Sequence, residues 1–129
     1  MVFHGKIPYM DVGRLFDRTI LFANTSEVEG FPNTFLQAWI RGTPVATMFD
    51  PDGLVARKGL GTSHASVEDM IEGVRRLLES AEAYAAAGGA ARRFMATEFG
   101  EHDVLDPYVR VLEGRGDATG TRCPGRLEA

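Results

Sequence analysis

The chain has 129 residues, a formal net charge of −4 and a sequence pI of about 5.3. That is one domain at most, by the rough prior of 100–200 residues per domain, and it carries no global basic field to recruit nucleic acid or anionic lipid. An apolar share of 44% with 25% charged residues is ordinary for a soluble globular protein. No apolar run approaches the roughly 20 residues of a membrane span, and Met1-Val2-Phe3-His4-Gly5-Lys6 lacks the apolar core of a signal peptide. The sole cysteine, Cys123, excludes an intrachain disulfide. Together these features point to a cytoplasmic protein with no nucleic-acid partner.

In chain order, Val2 to His4 reads as the end of a strand closed by Gly5. Pro8 opens a short helix with Met10, Val12, Leu15 and Phe16 as its apolar positions. Thr19-Ile20-Leu21-Phe22-Ala23 is continuously apolar rather than alternating, as suits a central parallel strand covered on both faces. A helix is expected to begin at Pro32, because proline at the first helical position sacrifices no intrahelical hydrogen bond. Phe35, Leu36, Ala38, Trp39 and Ile40 make it apolar almost all round, as in a buried helix. Its one polar stripe is Asn33, Gln37 and Arg41, and Gly42 stands where a glycine stop belongs. Pro44 to Phe49 is a third buried-strand candidate, ending at the turn signal Asp50-Pro51-Asp52-Gly53. Strand, helix, strand, helix, strand is the pattern of a right-handed βαβ array on a parallel sheet.

Residues 53 to 65 read as a glycine-containing loop. Ser66 looks like an N-cap with Asp69 at the reciprocal position. Behind it Val67, Met70, Ile71, Val74, Leu77 and Leu78 repeat at helical spacing, and Glu72 and Arg76 are placed for an i,i+4 pair. Ala81 to Ala87 is helical until Gly88-Gly89 interrupts it, and the helix resumes from Ala90 with Phe94 and Met95 toward the core. A last helix is expected over His102 to Glu113, kinked at Pro107 or restarted there with Asp106 as the cap, and a disordered tail over 114–129. Arg115-Gly116-Asp117 spells an adhesion tripeptide, which a cytosolic tail has no use for.

Most chemistry-bearing residues read as ordinary surface. Three histidines and one cysteine give no metal-ligand spacing. Ser63 and His64 are sequence neighbours, which is not how a nucleophile meets its base. Arg57-Lys58 reads as a solvated pair and Asp50 with Asp52 as a plain turn. The stretch Glu29 to Gln37 differs. Glu29 and Gly30 follow a buried strand, and so lie at a carboxyl end, where open α/β sheets bind ligands. The amides of Asn33, Thr34 and Phe35 would point outward at the helix start, where the macrodipole favours an anion. Gly30 would allow a ligand close to the backbone. The competing account makes Glu29 a simple cap and Gln37 a solvated position, and on pattern alone the two stand level.

The run Glu29-Gly30-Phe31-Pro32-Asn33-Thr34-Phe35-Leu36-Gln37-Ala38-Trp39, followed by Arg41-Gly42-Thr43-Pro44-Val45, resembles the signature of GT-B retaining glycosyltransferases (glycosyltransferase group 1). That signature is a Glu, seven residues, a second Glu, then Gly-x-Pro-Val. Val2-Phe3-His4-Gly5, Thr25-Ser26, the helix Ser66 to Leu78, Ala91 to Phe94 and Val104 to Leu112 extend the likeness over about residues 1 to 113.

The resemblance implies an α/β fold, the second half of a doubly wound, Rossmann-like GT-B C-terminal domain. Three parallel strands at Val2–His4, Thr19–Ala23 and Pro44–Phe49 would be strands 4, 5 and 6 of the order 3-2-1-4-5-6, with strand 4 an unpaired edge. It implies sugar transfer with retention from a nucleotide-diphosphate sugar, in glycan or exopolysaccharide synthesis. Neither cofactor nor metal would be required. Glu29 would be the catalytic residue, contacting donor-sugar hydroxyls, and Gly30, Phe31, Pro32, Asn33, Thr34 and Gln37 would bind donor. Amides at Phe31, Asn33 and Thr34 would take the diphosphate, and the position of Gln37 the ribose. Here the chain departs from the pattern, because Gln37 replaces the second Glu. An amide still donates and accepts but lacks a charged acceptor's strength. The acceptor domain for a glycan or lipid-linked acceptor, any peripheral membrane contact of the full enzyme, and the basic pair facing the diphosphate would lie outside this chain. The alternatives are a non-catalytic nucleotide-sugar-binding remnant and a related GT-B nucleotide-sugar epimerase.

Overall fold

The structure, a computed structural model, describes Val2 and residues 4 to 99. The expected helix over 102–113, the domain boundary at 113 and the tail over 114–129 fall outside these residues, as does the side chain of Met10.

Helix α1 (Tyr9–Phe16) leads to strand β1 (Phe22–Asn24), helix α2 (Asn33–Trp39) and strand β2 (Val45–Thr47). A single 3-10 turn (Pro51–Gly53) opens helix α3 (Leu54–Lys58), followed by strand β3 (Gly61–Ser63) and helices α4 (Val67–Glu79) and α5 (Ala81–Glu98). The strands form one parallel sheet in the order β1-β2-β3, with Phe22, Val45 and Gly61 in register. The α/β class and the three-stranded parallel sheet with flanking helices are therefore present, consistent with part of a Rossmann-like fold. Among the described residues no helix is long and apolar enough to cross a membrane.

One of the three strands is not where the sequence put it. Val2 and His4 are in no strand, and Val2 is exposed, because the outer side of β1 carries no partner among the described residues. The third strand is instead β3, inside the stretch read as a loop. Its glycine hides it from a propensity reading, yet is what the pairing needs. Gly61 has φ +151°, and a Cβ there would overlap the Val45 carbonyl of β2. Only glycine lets the two backbones meet. The same misread loop also contains α3. The two carboxylate oxygens of Asp50 accept from the amides of Val55 (2.7 Å) and Ala56 (3.1 Å), so Asp50 caps α3 rather than making a plain turn.

The other two strands are shorter than expected, for local reasons. Thr19 still belongs to the end of α1, its amide and hydroxyl bonded to the carbonyls of Phe16 and Leu15. Beyond β2, the Thr47 hydroxyl donates to the Phe49 carbonyl and accepts from the Phe49 amide, turning the chain out of the sheet.

The helices show the same mixture. Pro32 is the residue before α2 (φ −73°, ψ 111°), not its first residue. The far end closes as expected. Gly42 adopts φ +70°, its amide bonds the Trp39 carbonyl (2.8 Å), and the Thr43 amide bonds that of Ala38 (3.0 Å), which is a Schellman ending. Phe35, Ala38 and Trp39 are buried, but Ile40 is 60% exposed because α2 is covered by the sheet and α5 and not all round.

Ser66 caps α4 as expected, its hydroxyl accepting from the Asp69 amide. On that helix Met70 and Leu77 are buried whereas Ile71 is 53% exposed. Glu72 pairs with Arg75 at i,i+3 rather than with Arg76. Helix α5 runs unbroken through Gly88-Gly89, contrary to the expected interruption. A Cβ on Gly88 would lie 2.7 Å from the Gly42 carbonyl, so this glycine permits a close helix crossing instead of ending a helix.

The core is a chain of aromatic contacts: Phe16 to Phe22, Phe22 to Phe35, Phe35 to Trp39 and Trp39 to Phe94, with centroids 5.4–6.1 Å apart. Each tilted or edge-on pair adds about 0.5–1.5 kcal/mol beyond its buried area. Trp39 is fully buried and also donates its indole N–H to the Leu60 carbonyl, tying α2 to the segment entering β3. Helix α2 is thus held rigidly on two sides.

Candidate functional site

The carboxyl ends of the three strands form one edge. There the Met48 amide donates to the Asn24 carbonyl and the His64 amide to the Thr47 carbonyl. From the β1 end of this edge the chain passes through Asn24, whose side-chain oxygen accepts from the Ser26 amide at 2.8 Å. It then runs out through an exposed stretch, Glu27 to Phe31, before α2. All the expected donor-site residues lie on this loop or in the first turns of the helix.

Within that stretch Glu29 is exposed, and its carboxylate has no ion-pair or hydrogen-bond partner among the described residues. Gly30 is exposed, with open space where a Cβ would stand. Phe31 is 44% exposed, and its ring lies 6.4 Å from Trp39 and 6.5 Å from Phe99. These contacts anchor the loop to the core. Pro32 is buried, Asn33 exposed, and Thr34 and Gln37 half-buried.

One element of the expected amide array is already occupied. The Phe35 amide donates to the Pro32 carbonyl at 2.9 Å, closing the first turn. The Asn33 and Thr34 amides have no partner among the described residues, and no side chain caps the helix. The competing account of Glu29 as a plain cap therefore finds no bond to support it. At the other end of the polar stripe, Arg41 is turned away to Asp17 at 2.7 Å and to the Gln37 carbonyl at 3.3 Å.

The remaining candidates divide. Ser63 is exposed, but His64 is half-buried against α4, where Gly73 leaves room for its ring and its Nε2 is buried without a partner. That placement corrects the reading of His64 as an ordinary surface side chain. Arg57 donates to the Asp52 carbonyl, and Lys58 pairs with Glu98. No group of three or more His, Cys, Asp or Glu among the described residues is placed to hold a metal ion.

A second feature was invisible in the sequence. At the opposite edge of the sheet, where β1 and β2 begin, a cavity of about 530 Å³ opens between the ends of α1 and α2 and the first half of α5. Asp17, Arg41, Tyr84 and Arg92 are among its lining residues. Their partners lie up to 64 positions away, as in the bond from the Tyr84 hydroxyl to the Ile20 carbonyl, so no local pattern announces them.

Against this geometry, no family model, curated protein or solved structure matches the chain.

Proposed function

We propose that this chain supplies the donor-binding wall of a retaining glycosyltransferase of the GT-B type, which moves a sugar from a nucleotide-diphosphate donor to a glycan or lipid-linked acceptor. One observation carries the reading. An unpaired, exposed carboxylate, Glu29, follows the carboxyl end of a parallel strand and precedes a helix whose Asn33 and Thr34 amides have no partner among the described residues. A carboxylate accepts hydrogen bonds from sugar hydroxyls, and amides at a helix start favour an anion such as a diphosphate. As the leaving diphosphate gains charge, donors already fixed by the α2 packing stabilise it without reorganising. Gln37, one turn further in, would offer the ribose an amide.

The test is transfer by the longest natural form of the protein, compared with its Glu29→Ala variant. Activity is expected to fall by about 10²–10³-fold, the range for removing one stabilising contact of the reaction centre, with an unchanged circular dichroism spectrum. Retained turnover in a folded Glu29→Ala variant would sink the proposal.

A second reading, a nucleotide-sugar-binding module without catalysis, is favoured by the neutral Gln37 where the resembled pattern carries a charged acceptor. It predicts saturable nucleotide-sugar binding with no transfer to any acceptor and no donor isomerisation.

A further inference from the structure

The cavity at the amino ends of β1 and β2 carries an inference independent of the donor reading. Two guanidinium groups line it, and glycines make room for both. Arg41 lies over Gly13, where a Cβ would stand 2.9 Å from its Nη2. Arg92 lies across Gly42, where a Cβ would stand 2.6 Å from its Nε and Cζ. Each is held by one end. Arg41 bonds Asp17 and the Gln37 carbonyl, and Arg92 bonds the Arg41 carbonyl through Nη2. The remaining N–H groups, Nη2 of Arg41 and Nε and Nη1 of Arg92, have no partner among the described residues.

Two guanidinium groups face one carboxylate, Asp17. The C-terminal ends of α1 and α2 beside them each carry about half a negative charge, so an anion would be held here by directed N–H groups and not by a net positive charge. Planar guanidinium forks match the geometry of phosphate oxygens. The Tyr84 hydroxyl is fixed by its bond to the Ile20 carbonyl, and the cavity of about 530 Å³ leaves space beyond the size of a phosphate ion.

We propose that this cavity binds a small oxyanion, inorganic phosphate or a soluble phosphate monoester, between Arg41 and Arg92.

The test is a titration of the isotope-labelled full chain with inorganic phosphate at constant ionic strength, reading the Nε–H resonances of the two arginines. Saturable shifts are expected with phosphate and not with chloride. Arg92→Gln should weaken binding about tenfold, as loss of one charge-assisted contact does. Asp17→Asn keeps the acceptor for Arg41 but removes the competing charge, and should tighten binding. The Asp17→Asn arm is readable even where Arg92→Gln fails to fold. Shifts equal for chloride and phosphate, or phosphate binding indifferent to both substitutions, would overturn the proposal.

Discussion

Gly88 and Gly89 are adjacent residues in one helix, and alanine at each should act with opposite sign. The helical propensity change is common to both, since glycine in a helix interior costs about 1 kcal/mol relative to alanine. The contacts differ. At Gly88 a Cβ would stand 2.7 Å from the Gly42 carbonyl oxygen, a backbone atom fixed by the Schellman ending of α2. Relief requires α5 to move off α2, and overpacking of this kind costs about 1–3 kcal/mol. At Gly89 the nearest atom is Nη1 of Arg93 at 3.3 Å, the free end of an exposed side chain that can swing away.

Gly89→Ala should therefore stabilise the fold by up to about 1 kcal/mol. Gly88→Ala should lose its propensity gain and destabilise by up to about 2 kcal/mol, the overpacking range less that gain. Because propensity cancels between them, the gap of about 1–3 kcal/mol measures the crossing contact alone. Urea melts followed by Trp39 fluorescence would report it as midpoints separated by about 1 M at equal m-value. If Gly88→Ala stabilised the chain as much as Gly89→Ala, the close α2–α5 crossing would be refuted.

Further substitutions probe the other joints. Gly73→Ala would drive a Cβ into the His64 ring, and should cost about 1–3 kcal/mol; His64→Ala in the same chain should restore most of that loss in a double-mutant cycle. Asp50→Ala removes the acceptor for two α3 amides and should lower stability by about 1–2 kcal/mol, read by denaturant melts. Ser66→Ala, losing one cap bond to Asp69, should cost about 1 kcal/mol in the same assay. Gly30→Ala meets open space and φ there is not positive, so stability should stay within about 0.5 kcal/mol; a loss of nucleotide-sugar affinity in that variant, measured calorimetrically, would place ligand against this backbone. Glu29→Ala is expected to be equally neutral for stability, since its carboxylate is exposed.

What the sequence made legible was whatever a local pattern determines. The Ser66–Asp69 cap and the Gly42 stop each depend on residues within one or two turns, and the structure places both. The run Thr19–Ala23 was met only in part: β1 takes up Phe22 and Ala23 alone, Ile20 is 65% exposed, and β1 is an edge strand among the described residues, not a central one covered on both faces. The failures share another cause. Gly61 and Gly88 look like breakers locally, but each is required by a backbone far along the chain, that of Val45 and that of Gly42. Strand β3 and an uninterrupted α5 were therefore hidden behind the residues that make them feasible. The expected strand over Val2 to His4 failed conversely: its composition is strand-like, but Val2 and His4 are in no strand, and the outer side of β1 has no partner among the described residues. The donor-site candidates were legible as a segment, because loop and helix start are consecutive. Their amide array was not, since the Phe35–Pro32 turn bond is a matter of geometry.

Helix α2 links these observations. Phe35 and Trp39 fix it against the aromatic core, while Gly42 fixes its end under α5. A helix held this way cannot yield locally when charge is placed at either end. At its start, that rigidity keeps the Asn33 and Thr34 amides oriented without help from a bound anion, which is the preorganisation the proposed transfer would need. At its end, it holds Arg41 and the carbonyl that Arg92 grips. Loosening α2 in the core, as Trp39→Phe would by removing the bond to the Leu60 carbonyl, should therefore weaken ligand binding at both ends together. Glu29→Ala and Arg92→Gln should each affect only their own end. Binding measured with a nucleotide-sugar and with phosphate on the three variants separates a shared scaffold from two unrelated surfaces. Equal, independent losses in Glu29→Ala and Arg92→Gln with no effect of Trp39→Phe would remove α2 from the argument.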